Sequence, residues 1–176
     1  MMTQNERRFM LQSHIEVLQQ AIDLLNDVST DDFQRVMHPH LSGSIGKHLR
    51  HVIDHFLAIE NGLLTGVIDY NQRNRNANIE VSISATVDTL EAIQRWLRAL
   101  EPTDLAGKFE VRSEISLSDT VNATCESTLA REIVFASSHA IHHFSLISII
   151  RSLQGQPVPD YFGFAPATLT HLSEHV

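Results

Sequence analysis

The chain has 176 residues, 43% of them apolar and 19% charged, enough for a single domain, 1–176, with a sizeable core. Its formal net charge of −8, with no basic cluster longer than two residues, argues against nucleic acid or an anionic membrane as partner. A lone cysteine, Cys125, excludes an internal disulfide framework; with no signal-like start and no run near the ~20 apolar residues of a bilayer span, a cytoplasmic address is expected.

Asn5 to Asn26 carries Phe9, Leu11, Ile15, Leu18, Ile22 and Leu25 at three- and four-residue spacings, which predicts an amphipathic helix. "DVSTDDFQRVMHPHLSG" then reads as a break of turn formers and proline. Ser42 or Ser44 can cap a second helix through Ile45, Leu49, Val52, Phe56, Ile59 and Leu63, with Gly62 near its end. "DYNQRNRNANIE" is polar and predicts an unpacked stretch. A third helix is expected from about Ile83 to Leu100, stopped by "EPTDLAG".

Lys108 to Thr124 changes period. "KFEVRSEISL" and "VNATCES" alternate on either side of "SDT", which reads as a hairpin. A hairpin alone is marginal in water and needs helices to pack on. Ser127 can cap a long fourth helix reaching about Ser152. "GQPVPDYFGFAP" follows as a loop, and a short helix near Thr168 to Glu174 closes the chain. The expected fold class is therefore all-α: a four-helix bundle with a small β-hairpin before the last long helix.

Histidine is the outlier of the composition, with eleven copies. Three of them stand in "SSHAIHHFSLI" on the fourth helix. At about 100° per residue, His143 lies about 40° from His139, on the same stripe as Ala136, Ile147 and Ile150. Glu132 faces the same way, about two turns below, while His142 falls off the stripe. Two inward imidazoles one turn apart can reach one ion, the spacing of helical zinc sites. That favours metal binding over a lone core histidine bonded to a carbonyl. Such a site usually takes three protein ligands. The second helix offers His48, His51 and His55, all flanking its apolar centre, and spacing does not choose among them. Asp54 and Glu132 are candidates to orient a ligand or act as a base. His14 is read as solvated or packed, His38 and His40 as loop residues, and His171 and His175 as tail residues. Cys125, with no basic neighbour in sequence, reads as a small packed residue rather than a nucleophile.

At "SGSIGKHLRHV" and "SHAIHHFSLI" the sequence resembles the DinB/YfiT-like metalloprotein superfamily, with Ser44, Ile45, Gly46 and Leu49 leading to a histidine and an H-x-x-x-H pair following. The resemblance selects His51 beside His139 and His143 as metal ligands. It implies an up-down-down-up bundle, a divalent metal such as zinc or nickel, and a homodimer. It also implies a low-molecular-weight thiol as cosubstrate: a metal-dependent thiol transferase or isomerase acting on small-molecule electrophiles. Metal-assisted hydrolysis and a non-catalytic metal- or ligand-binding bundle of the stress response are the alternatives. The hairpin, and Gly43 where a tryptophan is usual, depart from that pattern.

Overall fold

The computed structural model describes residues 3–74 and 77–174; His175 lies outside the described residues. Helix α1 spans Gln4–Leu25 and begins in a capping box: the Thr3 amide donates to Glu6 Oε2 (2.6 Å) and the Glu6 amide to Thr3 Oγ1 (3.3 Å). A short α2, Thr30–Gln34, is capped by Ser29 and plants Phe33 in the core. Helix α3 runs Ile45–Thr65 from a Ser44 cap to Gly66, whose φ of 80° ends the helix. The chain then enters β1, Val67–Asp69. Helix α4, Ile83–Ala99, β2, Lys108–Glu114, β3, Asn122–Thr128, α5, Leu129–Leu153, and α6, Pro166–Glu174, complete the order.

The expected fold class needs correction. Among the described residues there are six α-helices and a three-stranded mixed sheet, so the fold is α/β rather than an all-α four-helix bundle with a hairpin. The predicted hairpin is present as β2 and β3, antiparallel from Lys108↔Thr128 to Glu114↔Asn122. What converts it to a sheet is β1, parallel to β2 through Val67↔Glu110, Ile68↔Val111 and Asp69↔Arg112. Three residues are too few to show a period in sequence. Ile68 is fully buried over the Gly62 backbone, where any β-carbon would collide with it. The sheet is thereby stitched to the end of α3.

The polar stretch after β1 is exposed at Asn71–Asn74 and Asn78, as expected, but it is anchored at several points. Tyr70 donates to Glu132 Oε2 (2.7 Å), Asn74 Nδ2 to Asp54 Oδ1 (3.2 Å), and Glu80 pairs with Arg50 Nε (2.8 Å). Three of its polar side chains thus bond to the helices. The last turn of this loop lies on the first turn of α3. A β-carbon added at Gly46 would overlap the Glu80 carbonyl and sit 2.7 Å from Phe33 Cε1. Gly46→Ala is therefore expected to destabilise the fold by roughly 1–3 kcal/mol, read as a lower urea midpoint.

The core runs between α1, α3, α4 and α5 and includes the fully buried Leu18, Ile53, Phe56, Leu90, Ile133 and Phe144. By length and composition α5 is apolar enough to cross a membrane, which corrects the expectation that no such run exists. Its outer face mixes the exposed Val134, Ile149 and Leu153 with the exposed Arg131, Ser138, His142 and Ser145. Here α5 packs on α3 and α1.

Arg151 and His14 are among the polar residues buried with this core. Arg151, 1% exposed, pairs with Asp32 (3.7 Å) and donates to the Asp27 carbonyl (3.2 Å). His14 is buried on α1 with no partner for its Nε2, and desolvation lowers its pKa to about 4. An unfolded histidine takes its proton near pH 6.5. The unfolded chain therefore binds the extra proton first, and stability is lost as pH falls from about 6.5 to about 4. His14→Leu is expected to reduce the slope of the thermal midpoint against pH across that window, the other lowered histidines keeping the remainder; an unchanged slope would show that His14 does not report on folding.

Candidate metal centre

His51 sits about a third of the way along α3, and His139 and His143 one turn apart on α5, where the two helices pack together. Their Nε2 atoms converge. His139 Nε2 lies 3.0 Å from His51 Nε2 and 3.1 Å from His143 Nε2, and the three ligand atoms fall within 4.8 Å of one another. Two ring nitrogens on a tetrahedral ion stand roughly 3.3 Å apart. Hydrogen bonding does not account for this cluster. His139 Nε2 holds either one hydrogen or one lone pair, yet faces two nitrogens. Three lone pairs aimed at one point fit a cation.

Electrostatics keeps the three rings uncharged. Desolvation, then the neighbouring imidazoles and the Arg73 and Arg50 guanidiniums, lower the pKa of His51 to about 3. Desolvation first and the surrounding charges second bring His139 to about 4 and His143 to about 3. All three rings are neutral at pH 7, the form that ligates a metal.

The other histidines take different places. His55 donates from Nδ1 to the His51 carbonyl (2.9 Å) and stacks on Tyr70, its ring 4.3 Å from that of His139. His48 Nδ1 meets His143 Nδ1 at 2.8 Å, on the side of that ring away from the cluster. Burial lowers the pKa of both His48 and His55. His142 is exposed, as its angle on the helix predicts, its ring 5.3 Å from that of His143.

Neither carboxylate candidate touches the three rings. Glu132 is buried, taking hydrogen bonds from Tyr70 and from Ser127 Oγ (2.5 Å) and pairing with Arg131 (3.5 Å). It anchors Tyr70, and Tyr70 in turn supports His55. Ser127 is thus occupied, and Thr128 caps α5 in its place. Asp54 binds Arg50 (3.0 Å) and the Asn74 amides. It secures the loop after β1. Cys125 is exposed on β3 rather than packed.

A cleft of about 370 Å³ opens beside His51 and His139. Its walls come from Tyr70, Arg73, Ser113 and Ser116, with Phe135 as an apolar side. Sequence reasoning missed these wall residues. The only signal was the short alternation "VIDY" after Gly66, which places Tyr70 one step beyond a strand.

No protein-family model matches the chain. Among curated proteins it is similar to the FK506-binding protein 5 of Rhizopus delemar, at 28% identity over 167 residues. That match covers 95% of this chain and 39% of the relative, so the chain spans about two fifths of its length. No solved structure matches. The expected membership of the DinB/YfiT-like superfamily is thereby corrected: no such family matches, and the relative carries another name. Local helix chemistry explains why the first motif misled. In "SGSIG", Ser44 caps α3 and Gly46 admits the Glu80 carbonyl, needs that a helix start can have in any fold.

Proposed function

We propose that His51, His139 and His143 hold one divalent cation, zinc or nickel, and that the protein uses it on a small molecule entering the adjacent cleft. The observation that carries this reading is the convergence of three neutral Nε2 atoms from two helices. Three neutral ligands leave a bound divalent ion its full charge, which lowers the pKa of a thiol or water that reaches it. The reaction we favour is attack of a low-molecular-weight thiolate on a small electrophile.

The chain's own residues shape that reaction. Phe135, Tyr70 and His55 form an aromatic wall beside the rings of His139 and His51. Arg73 adds a cation to the cleft, with no ion pair to any carboxylate among the described residues. The wall excludes water from one side of the centre, and the guanidinium favours an anionic group on the substrate.

Elemental analysis of protein purified without chelator is expected to find about one zinc or nickel per chain. Protein that is metal-free and takes up neither ion would overturn the reading. Conjugation of a generic electrophile by glutathione, bacillithiol or mycothiol should then run faster with loaded than with metal-free protein. Equal rates would remove thiol transfer and leave hydrolysis or binding.

The relative's name offers a second reading, the binding of FK506, favoured by a match over nearly all of this chain. Titration of the protein with FK506 tests it; the named activity can equally reside in the relative's other three fifths.

A further inference from the structure

His48 is left without a role by the three-ligand reading, yet its contact with His143 is the closest approach between any two imidazole nitrogens in the cluster, at 2.8 Å. Two neutral rings at that distance share one hydrogen. If His143 donates from Nδ1, its Nε2 carries a lone pair facing His139. If His48 donates, His143 holds its hydrogen on Nε2 and offers nothing to a cation.

The surroundings fix His48 in place. Its Nε2 is buried and meets no partner. The Gly43 backbone lies against it: a β-carbon there would stand 3.0 Å from His48 Nε2 and 3.4 Å from Cδ2. The ring is held between α3 and α5 with Nδ1 presented to His143.

We propose that His48 is a positioning residue for a divalent cation, accepting the His143 Nδ1–H hydrogen bond and so holding the His143 Nε2 lone pair toward His51 and His139. The inference rests on the metal reading above. Partners of this kind on the far nitrogen of a ligating histidine orient the ring and make it a better donor. The hydrogen of His48 then resides on its Nε2, the atom enclosed beside Gly43.

The test titrates Co²⁺ into metal-free wild type, H48F and H48N, following the visible absorption of the ion with a chelator as competitor. Phenylalanine keeps a ring and removes the acceptor; asparagine places an oxygen near the Nδ1 position. H48F is expected to bind Co²⁺ about 10- to 100-fold more weakly, and H48N to recover most of that loss. Wild type that binds no Co²⁺ would overturn the metal reading itself. Wild type and H48F that bind alike would overturn the role of His48 alone. A second measurement needs no variant: long-range ¹H–¹⁵N spectra of the zinc-loaded wild type should place the hydrogens on His143 Nδ1 and His48 Nε2. A hydrogen on His48 Nδ1 would refute the assignment even if H48F fails to fold.

Discussion

Replacing His143 with alanine is expected to lower bound metal from about one ion per chain to less than a tenth of that, measured by elemental analysis after gel filtration. Two imidazoles would remain, His51 and His139, on different helices. The lost ligand is also the one that His48 contacts, so its removal breaks the alignment on both sides. His139→Ala should match it, because His139 Nε2 is the atom common to both short contacts. His142→Ala is the control: exposed and outside the convergence, it should leave the metal content unchanged. Thermal melting gives an independent reading. An ion present at a hundred times its dissociation constant stabilises the fold by about 2.7 kcal/mol. Added zinc should raise the melting point of wild type and not that of His143→Ala. An H143A protein that retains metal would exclude this ring as a ligand.

The largest expected loss of stability is at Asp32. Its carboxylate is the counter-charge of Arg151, a guanidinium 1% exposed in the core, and also pairs with Arg35 (3.3 Å). Asp32→Ala leaves the Arg151 cation buried with, among the described residues, only the Asp27 carbonyl as an acceptor. Uncompensated charges of this kind cost about 3–5 kcal/mol, to be read from the urea midpoint at constant slope. The double variant Asp32→Leu with Arg151→Met removes both charges and should recover most of that loss. A single variant within about 1 kcal/mol of wild type would show that the pair is solvated in solution.

The long helices were legible because period and caps agree. The spacing from Ile83 to Leu100 corresponds to α4, Ile83–Ala99, and the choice of Ser42 or Ser44 resolves to Ser44. The hairpin was legible through its period of two. α2 and β1 were not, because five and three residues are shorter than the windows in which a period shows. Their tertiary anchors, Phe33 and Ile68, look in sequence like isolated apolar residues within loops. In "DYNQRNRNANIE" polarity marks the exposure of Asn71–Asn74 and Asn78 but not the anchoring of the stretch. Tyr70, Asn74 and Glu80 satisfy groups on α3 and α5.

At the site, the one-turn spacing of His139 and His143 was readable from the helical repeat alone. Which α3 histidine joins them was not. His48, His51 and His55 flank the same apolar face, and the structure puts all three rings near α5. What separates them is which nitrogen each ring presents. His51 points Nε2 into the cluster, His48 offers Nδ1 to the back of His143, and His55 is tied by Nδ1 to its own helix. Those choices depend on side-chain torsions, to which a sequence period is blind.

The pairing of β1 with β2 brings the segment that follows Asp69 against the strand that ends at Glu114. The imidazoles themselves stand on α3 and α5, outside the sheet. On the proposed reading, Tyr70, Arg73, Ser113 and Ser116 add a wall from the sheet side to a cleft whose imidazoles and Phe135 come from the helices. On the reading proposed above, exchanging Ser113–Ser116 would change which molecules enter the cleft while His51, His139 and His143 keep their places on the helices.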